Sequence, residues 1–260
     1  MTKKELVNFL DNLYPFNNKE EWDICGPSDY ENLEDEIKKV LISLDLNWET
    51  ALKAYLTGCN VIITHHPIFT NDIEWPENLI VNKVNRSILQ YLHEKKILHI
   101  SLHTCFDRDK FGTSYKILSA LDFEETPSLL PENPYLVFGE LKAPKTVFEL
   151  AKQIKENKLI NNVRVINKQE NNWVRTICIG AGSCTSYMND VIRTQVDCFL
   201  TGDFKWHTFQ DAFNANLNVI DIGHDAEQVF ITTIKEKIMN EFKELLIIEY
   251  FNAIEIKEVQ

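Results

Sequence analysis

The sequence predicts an α/β protein built as two related lobes with mixed sheets. Short apolar runs such as Asn60-Val61-Ile62-Ile63-Thr64 recur between longer stretches with helical periodicity. A strand–helix–strand passage from Val40 ends at Thr64-His65-His66, and a second from Thr176 ends at Thr201-Gly202-Asp203. Each passage leads to a further strand that closes on a histidine, His103 in the first case and His224 in the second. With no long linker or low-complexity segment, we expect lobes at 1–130 and 131–260, the last helix, 226–242, being free to pack back on the first.

Taken in order, Leu6, Phe9, Leu10 and Leu13 make residues 3–13 an amphipathic helix. Val40-Leu41-Ile42-Ser43-Leu44-Asp45-Leu46 reads as a strand, 47–56 as a helix opening with Glu49, Thr50 and Ala51, and 60–64 as a buried parallel strand. After a loop with Pro67 and Pro76 come a helix at 81–92, a strand at 97–102 and a helix at 113–121. The second half reads as a strand at 135–141, a helix at 145–157 after Pro144, and strands at 163–166 and 174–179 around an Asn171-Asn172 turn. A helix to about 194, a strand at 198–200, a helix at 207–214, a strand at 218–222 and a final helix at 226–242 complete the chain.

Composition narrows the class. The 260 residues are 44% hydrophobic and 25% charged, an ordinary globular balance with room for a full core. No apolar run reaches the roughly 18 residues of a membrane span, and the charged amphipathic N-terminus is unlike a signal peptide, so we expect a cytoplasmic protein without a membrane partner. The net charge of −12 argues against nucleic acid as a partner. Six cysteines form no C-x-x-C pair and read as small buried hydrophobes, Cys105 standing apart because it lies between two candidate ligands.

The histidines carry the chemical signal. Of seven, five (His65, His66, His103, His207 and His224) fall at or just past the C-terminal end of an inferred strand, the edge at which open α/β sheets place ligands. In Thr64-His65-His66-Pro67 both rings can serve one site only if the strand ends there, and Pro67 keeps His66 extended. In His103-Thr104-Cys105-Phe106-Asp107 one helical turn would bring imidazole and carboxylate to the same side. In Gly223-His224-Asp225-Ala226-Glu227-Gln228, His224, Glu227 and Gln228 share a helical face. Thr201-Gly202-Asp203 and His207 add an acid and an imidazole at the matching edge, in supporting or substrate-facing positions. Each has a plainer structural reading: chance packing of a His-His pair, an Asp capping a helix, a Glu favoured near a helix N-terminus. Together they supply enough imidazole and carboxylate for two divalent ions with positions left open for water, and the mixed N/O set suits iron, zinc, manganese or cobalt better than calcium.

Read together, Trp22-Asp23 with Gly26, Ile63-Thr64-His65-His66-Pro67, His103-Thr104-x-x-Asp107, Gly180-Ala181-Gly182-Ser183, Thr201-Gly202-Asp203 with His207, and Gly223-His224 run in order through nearly the whole chain. In this the chain resembles the GTP cyclohydrolase 1 type 2 homologues, also called NIF-three-like proteins, in their short form without an inserted domain. The resemblance implies a dinuclear metal site between two lobes, with His65, His66, His103, Asp107 and His224 as ligands, in a toroidal homohexamer. Two departures stand out. The family has a Glu four residues beyond the Gly-His histidine, where this chain has Gln228 and its acid one step earlier, at Glu227, so both are candidate ligands. The family also has Asn after the first Asp and Leu after the first Gly, where Ile24 and Pro27 stand here, and the sequence assigns that motif no role beyond packing.

Two functions follow. One is a metal-dependent hydrolase, with two ions activating a water for attack at C8 of the guanine ring of GTP, ring opening and formate release, and Glu227 or His207 moving protons. No Walker-type phosphate loop accompanies it, since Gly180-Ala181-Gly182-Ser183 lacks the lysine. The other is a non-catalytic metal-binding or regulatory hexamer, which the missing Glu at 228 favours.

Overall fold

A computed structural model describes residues 1–69, 80–119, 128–130, 133–156, 160, 163–166 and 172–251. The chain divides into two mixed α/β units: Met1–Arg108 together with Phe230–Gln260, and Asp109–Val229. The division thus falls ahead of residue 130, and the last segment belongs to the first unit.

The first unit opens with α1 (Lys3–Leu13), β1 (Gly26–Pro27), β2 (Val40–Ser43), α2 (Trp48–Thr57), β3 (Val61–Thr64), α3 (Ile80–Glu94), β4 (Leu98–Ser101) and the single turn α4 (Thr104–Asp107). The second contains α5 (Thr113–Ser119), β5 (Ser128–Leu130), β6 (Asn133–Thr146), α6 (Val147–Lys155), β7 (Arg164–Ile166), β8 (Trp173–Gly180), α7 (Met188–Thr194), β9 (Cys198–Thr201), α8 (Trp206–Asn214), β10 (Asn218–Asp221) and a 3₁₀ turn, His224–Gln228. Then α9 (Val229–Glu241) leads to β11 (Ile247–Tyr250), an edge strand of the first sheet.

Local chemistry sets the helix ends. Thr2 caps α1 in a reciprocal capping box with Glu5. Asn47 accepts from the Thr50 N–H to start α2, and Gly58, at φ 76°, ends it in the left-handed conformation that a side chain would resist. The first sheet runs β1-β4-β3-β2-β11, with β1 antiparallel to β4 and the other neighbours parallel. Its strands β2, β3 and β4 are buried on both faces. Val40, Ile42, Val61, Ile63, Leu98 and Ile100 pack with α1, Phe106 and the α9 residues Phe230, Ile234 and Ile238. Leu41 and Ile62 face Ala51, Ala54, Ile88 and Leu92 of α2 and α3. This two-sided burial is why the strands read as continuous apolar runs.

The second sheet runs β5-β6-β8-β9-β10-β7. Its parallel block β8-β9-β10 repeats the chain-order neighbours β2-β3-β4 of the first, and the remaining pairs are antiparallel. Leu136, Cys178, Phe199 and Val219 meet Met188 and Val191 of α7 and Ala212 of α8 on one face, and Val137, Ile179, Leu200 and Ile220 meet Leu150 and Ile154 of α6 on the other.

Several boundaries differ from the sequence reading. β6 runs through Pro144 to Thr146 because its ladder with β8 shifts register between Glu140 and Lys145, and Thr146 then caps α6. The last helix starts as the 3₁₀ turn, and α9 proper begins at Val229. Three short edge strands, β1, β5 and β11, carried too little pattern to be recognised. The expected end of the helix at 113–121, Asn171 of the expected turn, and Pro76 lie outside the described residues.

A histidine side chain enters the aliphatic layer of the first unit. His99, on β4 beside Ile62 of β3, is 2% exposed. Burial pushes its imidazole down to about 3, against 6.5 for an ordinary histidine. Between those values the unfolded chain binds the extra proton, so this group makes stability fall as pH drops from about 6.5 toward 3, by up to about 1.4 kcal/mol per pH unit. His99→Leu should remove that dependence. We expect its urea midpoint to gain on wild type between pH 7 and pH 5; a gap that stays constant would show that His99 titrates normally.

Candidate metal centre

The first unit gathers four of the predicted donors where β3 and β4 end. β3 stops at Thr64, and the next two N–H groups, of His65 and His66, both donate to the Leu44 carbonyl at 3.1 Å. That turn frees the two rings from strand alternation, so both face one site with centroids 4.9 Å apart. His103 follows β4 and precedes α4, its ring 5.3 Å from His65 and 5.4 Å from His66. The ligating atoms of these three imidazoles lie within 4.8 Å of one another. Asp107 closes the turn of α4, its N–H donating to the His103 carbonyl, and sets a carboxylate oxygen 3.5 Å from His65 Nε2.

Each ring is held at the nitrogen that turns away. His65 Nδ1 donates to the Leu102 carbonyl at 3.3 Å, His66 Nδ1 to Asp45 at 2.7 Å, and His103 Nδ1 to Asp23 at 2.9 Å. A carbonyl or carboxylate can only accept, so Nδ1 carries a proton in each ring, and in the neutral imidazole Nε2 is the nitrogen left with a lone pair. Metal-bound histidines are oriented in this way, the ring nitrogen away from the metal donating to a carbonyl or carboxylate.

Asp23 is fully buried and also accepts from the Thr104 N–H and hydroxyl, capping α4 from outside the helix. Burial alone would raise its carboxyl, but His103 and Thr104 hold it well below the usual carboxylate range. Trp22 packs edge-on against His103 at 5.7 Å. The Trp22-Asp23 motif therefore does more than pack. The sequence carries no signal for Asp45 as an orienting group, and for Asp23 only the family motif around it.

Cys105, between the two ligand candidates, is buried. The adjacent Cys25 thiol and burial push its thiol far above the ordinary range, leaving it an inert packing group.

The second unit repeats the device. His224 follows β10 through Gly223, and its Nδ1 donates to Asp203, which follows β9, at 2.7 Å. Its Nε2 lies 3.1 Å from a Glu227 oxygen. Residues 224–228 wind as a 3₁₀ helix, in which positions i and i+3 eclipse, so Glu227 comes over His224. Gln228 instead donates its amide to the Asp225 carbonyl at 3.1 Å.

Glycines make room for this acid. A methyl group on Gly182, at φ 61°, would lie 2.1 Å from a Glu227 carboxylate oxygen, and one on Gly202 would lie 2.9 Å from the Gly223 backbone. The Gly182 carbonyl accepts from the Gly202 N–H and the Thr201 hydroxyl. The Gly180-Ala181-Gly182, Thr201-Gly202-Asp203 and Gly223-His224 motifs are thus one packing node around Glu227. His207 stands exposed on the first turn of α8, and no hydrogen bond or ion pair among the described residues joins it to Asp203, His224 or Glu227.

Hydrogen bonds donated to Asp203 and Glu227 push the His224 imidazole up to about 11 in the metal-free protein, outweighing its burial. A cation arriving there would replace a proton already held by two carboxylates.

Two mixed α/β units bearing imidazole–carboxylate clusters past their parallel strands define the class of protein. The family described as Duf34/NIF3 (NGG1p interacting factor 3) matches residues 1–257, and the chain belongs to it. A protein of Ureaplasma parvum named GTP cyclohydrolase 1 type 2 homolog is 33% identical over 242 residues, covering 90% of this chain and 88% of its own. Reduced HcgD from Methanocaldococcus jannaschii has the same fold, with a TM-score of 0.80 at 27% identity over 96% of this chain and 97% of that one. A Bacillus cereus protein related to NIF3 shares the fold with a TM-score of 0.83 at 18% identity, over 100% and 99% of the two chains. Among the described residues no helix is long and apolar enough to cross a membrane.

Removing one of its two carboxylates should lower the His224 titration midpoint. Glu227→Gln does so directly, and Gly182→Ala should do so by displacing Glu227. Histidine NMR titration of the metal-free protein measures both; a midpoint unmoved in Gly182→Ala would mean the glycine does not set the carboxylate's position.

Proposed function

We propose that this protein binds two divalent metal ions and acts as a metal-dependent hydrolase on a nucleotide or similar small molecule. The observation that carries the reading is the common orientation of four imidazoles. His65, His66, His103 and His224 are each held at Nδ1 by a fixed acceptor, and Nε2 of His65 and of His224 lies against a carboxylate. In this proposal these histidines, Asp107 and Glu227 serve one dinuclear centre, as the family resemblance implies, and iron, zinc or manganese suits the N/O donor set. Once bound, such a pair supplies Lewis acidity and an activated water. The chain's own acids and imidazoles hold and orient that centre, while Glu227 and the exposed His207 are the groups proposed to carry protons.

The name shared by the relatives makes GTP, with formate release, the first substrate to try. A homohexamer belongs to the same proposal. The six free cysteines support a reducing, cytoplasmic setting. The competing reading, a non-catalytic metal-binding regulator, rests on Gln228 standing where the family has Glu; Glu227 beside His224 supports the hydrolase reading instead.

Elemental analysis of anaerobically purified protein should give two ions per chain, fewer in Glu227→Gln and an unchanged number in Gln228→Glu. Restoration of a missing ion by Gln228→Glu would instead make residue 228 the ligand position and favour the regulator. Asp107→Asn should abolish formate release from GTP while leaving the circular dichroism spectrum intact. Light scattering should return the mass of six chains.

A further inference from the structure

His99 has no evident structural reason to be a histidine. The strand register sets it beside Ile62 and, one strand further, Leu41, on the face that Ile88 and Leu92 cover, and its Nδ1 is buried with no hydrogen-bond partner among the described residues. Burying an unpaired polar nitrogen in an aliphatic layer costs stability, where leucine or phenylalanine would add to it.

Its other nitrogen is engaged. His99 Nε2 lies 2.8 Å from the Thr64 hydroxyl oxygen, and that hydroxyl lies 2.7 Å from the His66 carbonyl. A carbonyl cannot donate, so the single Thr64 proton goes to His66. Thr64 must then accept from His99, which fixes the tautomer: the proton is on Nε2 and Nδ1 is bare. The chain of bonds runs His99 to Thr64 to the backbone between His66 and Pro67.

The other polar groups of this turn are fixed too. The His65 and His66 N–H groups share the Leu44 carbonyl. The His66 carbonyl takes the Thr64 hydroxyl instead, because Thr64 sits two residues back on the face that His99 occupies. His99 holds that hydroxyl from behind.

We propose that His99 is a positioning residue for the metal-binding turn, orienting the His65–His66 backbone through the Thr64 hydroxyl. This rests on the reading of His65 and His66 as ligands. It goes beyond that reading in assigning a function to a histidine on the far face of the sheet from the ligand rings.

The role predicts a split between stability and binding. Zinc titration calorimetry on the metal-free protein, alongside urea unfolding at pH 7, measures both. His99→Leu should bind zinc about 10-fold more weakly, the lower end of the range for losing an orienting partner, while the metal-free chain is as stable as wild type or more so. His99→Gln keeps an N–H donor at comparable reach and should recover most of the affinity. Thr64→Val breaks the same chain from its other end; its effect should match that of His99→Leu, and the double variant should be no worse than either single one.

Wild-type zinc affinity in His99→Leu, or a His99→Gln as weak as His99→Leu, would overturn the proposal while leaving the metal reading in place. Additive losses in the double variant would also overturn it. Should His99→Leu fail to fold, Thr64→Val with His99→Gln decides between the same outcomes. No zinc uptake by wild type would remove the metal reading and the positioning role together.

Discussion

Two parallel strands joined by one helix bring the residues just past their ends within reach of one another, and the donor histidines depend on that geometry. Neighbouring strands lie about 4.8 Å apart, so an aspartate past the first end can hold an imidazole past the second. Asp45 follows β2 and holds His66; Asp203 follows β9 and holds His224. Both pairs are separated by 21 residues and both bonds are 2.7 Å long. The spacing is that of one strand–helix–strand unit, used once in each half of the chain.

The third carboxylate reaches its histidine differently. Asp23 comes from ahead of β1, 80 residues before His103, and β1 pairs antiparallel to β4. A two-residue edge strand therefore has a purpose out of proportion to its length, since it anchors the segment carrying the buried acid behind His103. A buried carboxylate is costly unless fully bonded, and Asp23 meets that condition with His103, Thr104 and the Ile24 N–H. Charge-assisted bonds of this kind are each worth about 1.5–3 kcal/mol, enough to keep α4 wound although it is only one turn long.

What could be read from the sequence was the placement of the chemistry. Histidines past strand ends and apolar strands buried on both faces are visible residue by residue. The partners behind the rings were not, because Asp23 and Asp45 lie 80 and 21 residues from the imidazoles they hold and carry no periodic signal of their own. Edge strands β1 and β5, of two and three residues, offer too little length, and β11 is only half-buried, with Glu249 interrupting its apolar run. His207, grouped by position with the ligands, is exposed on α8: a place past a strand end is necessary for a donor but says nothing of where the helix that follows turns its side chains.

In the proposed site, the tight winding of residues 224–228 brings Glu227 over His224, where the family resemblance sets an acid one position later. An α-turn returns to the same face after four residues and a 3₁₀ turn after three, so changing the pitch absorbs a displacement of one. A text pattern written with a fixed interval between histidine and glutamate would pass over this chain as defective. Distance measured in space, from imidazole to carboxylate, would find the pair.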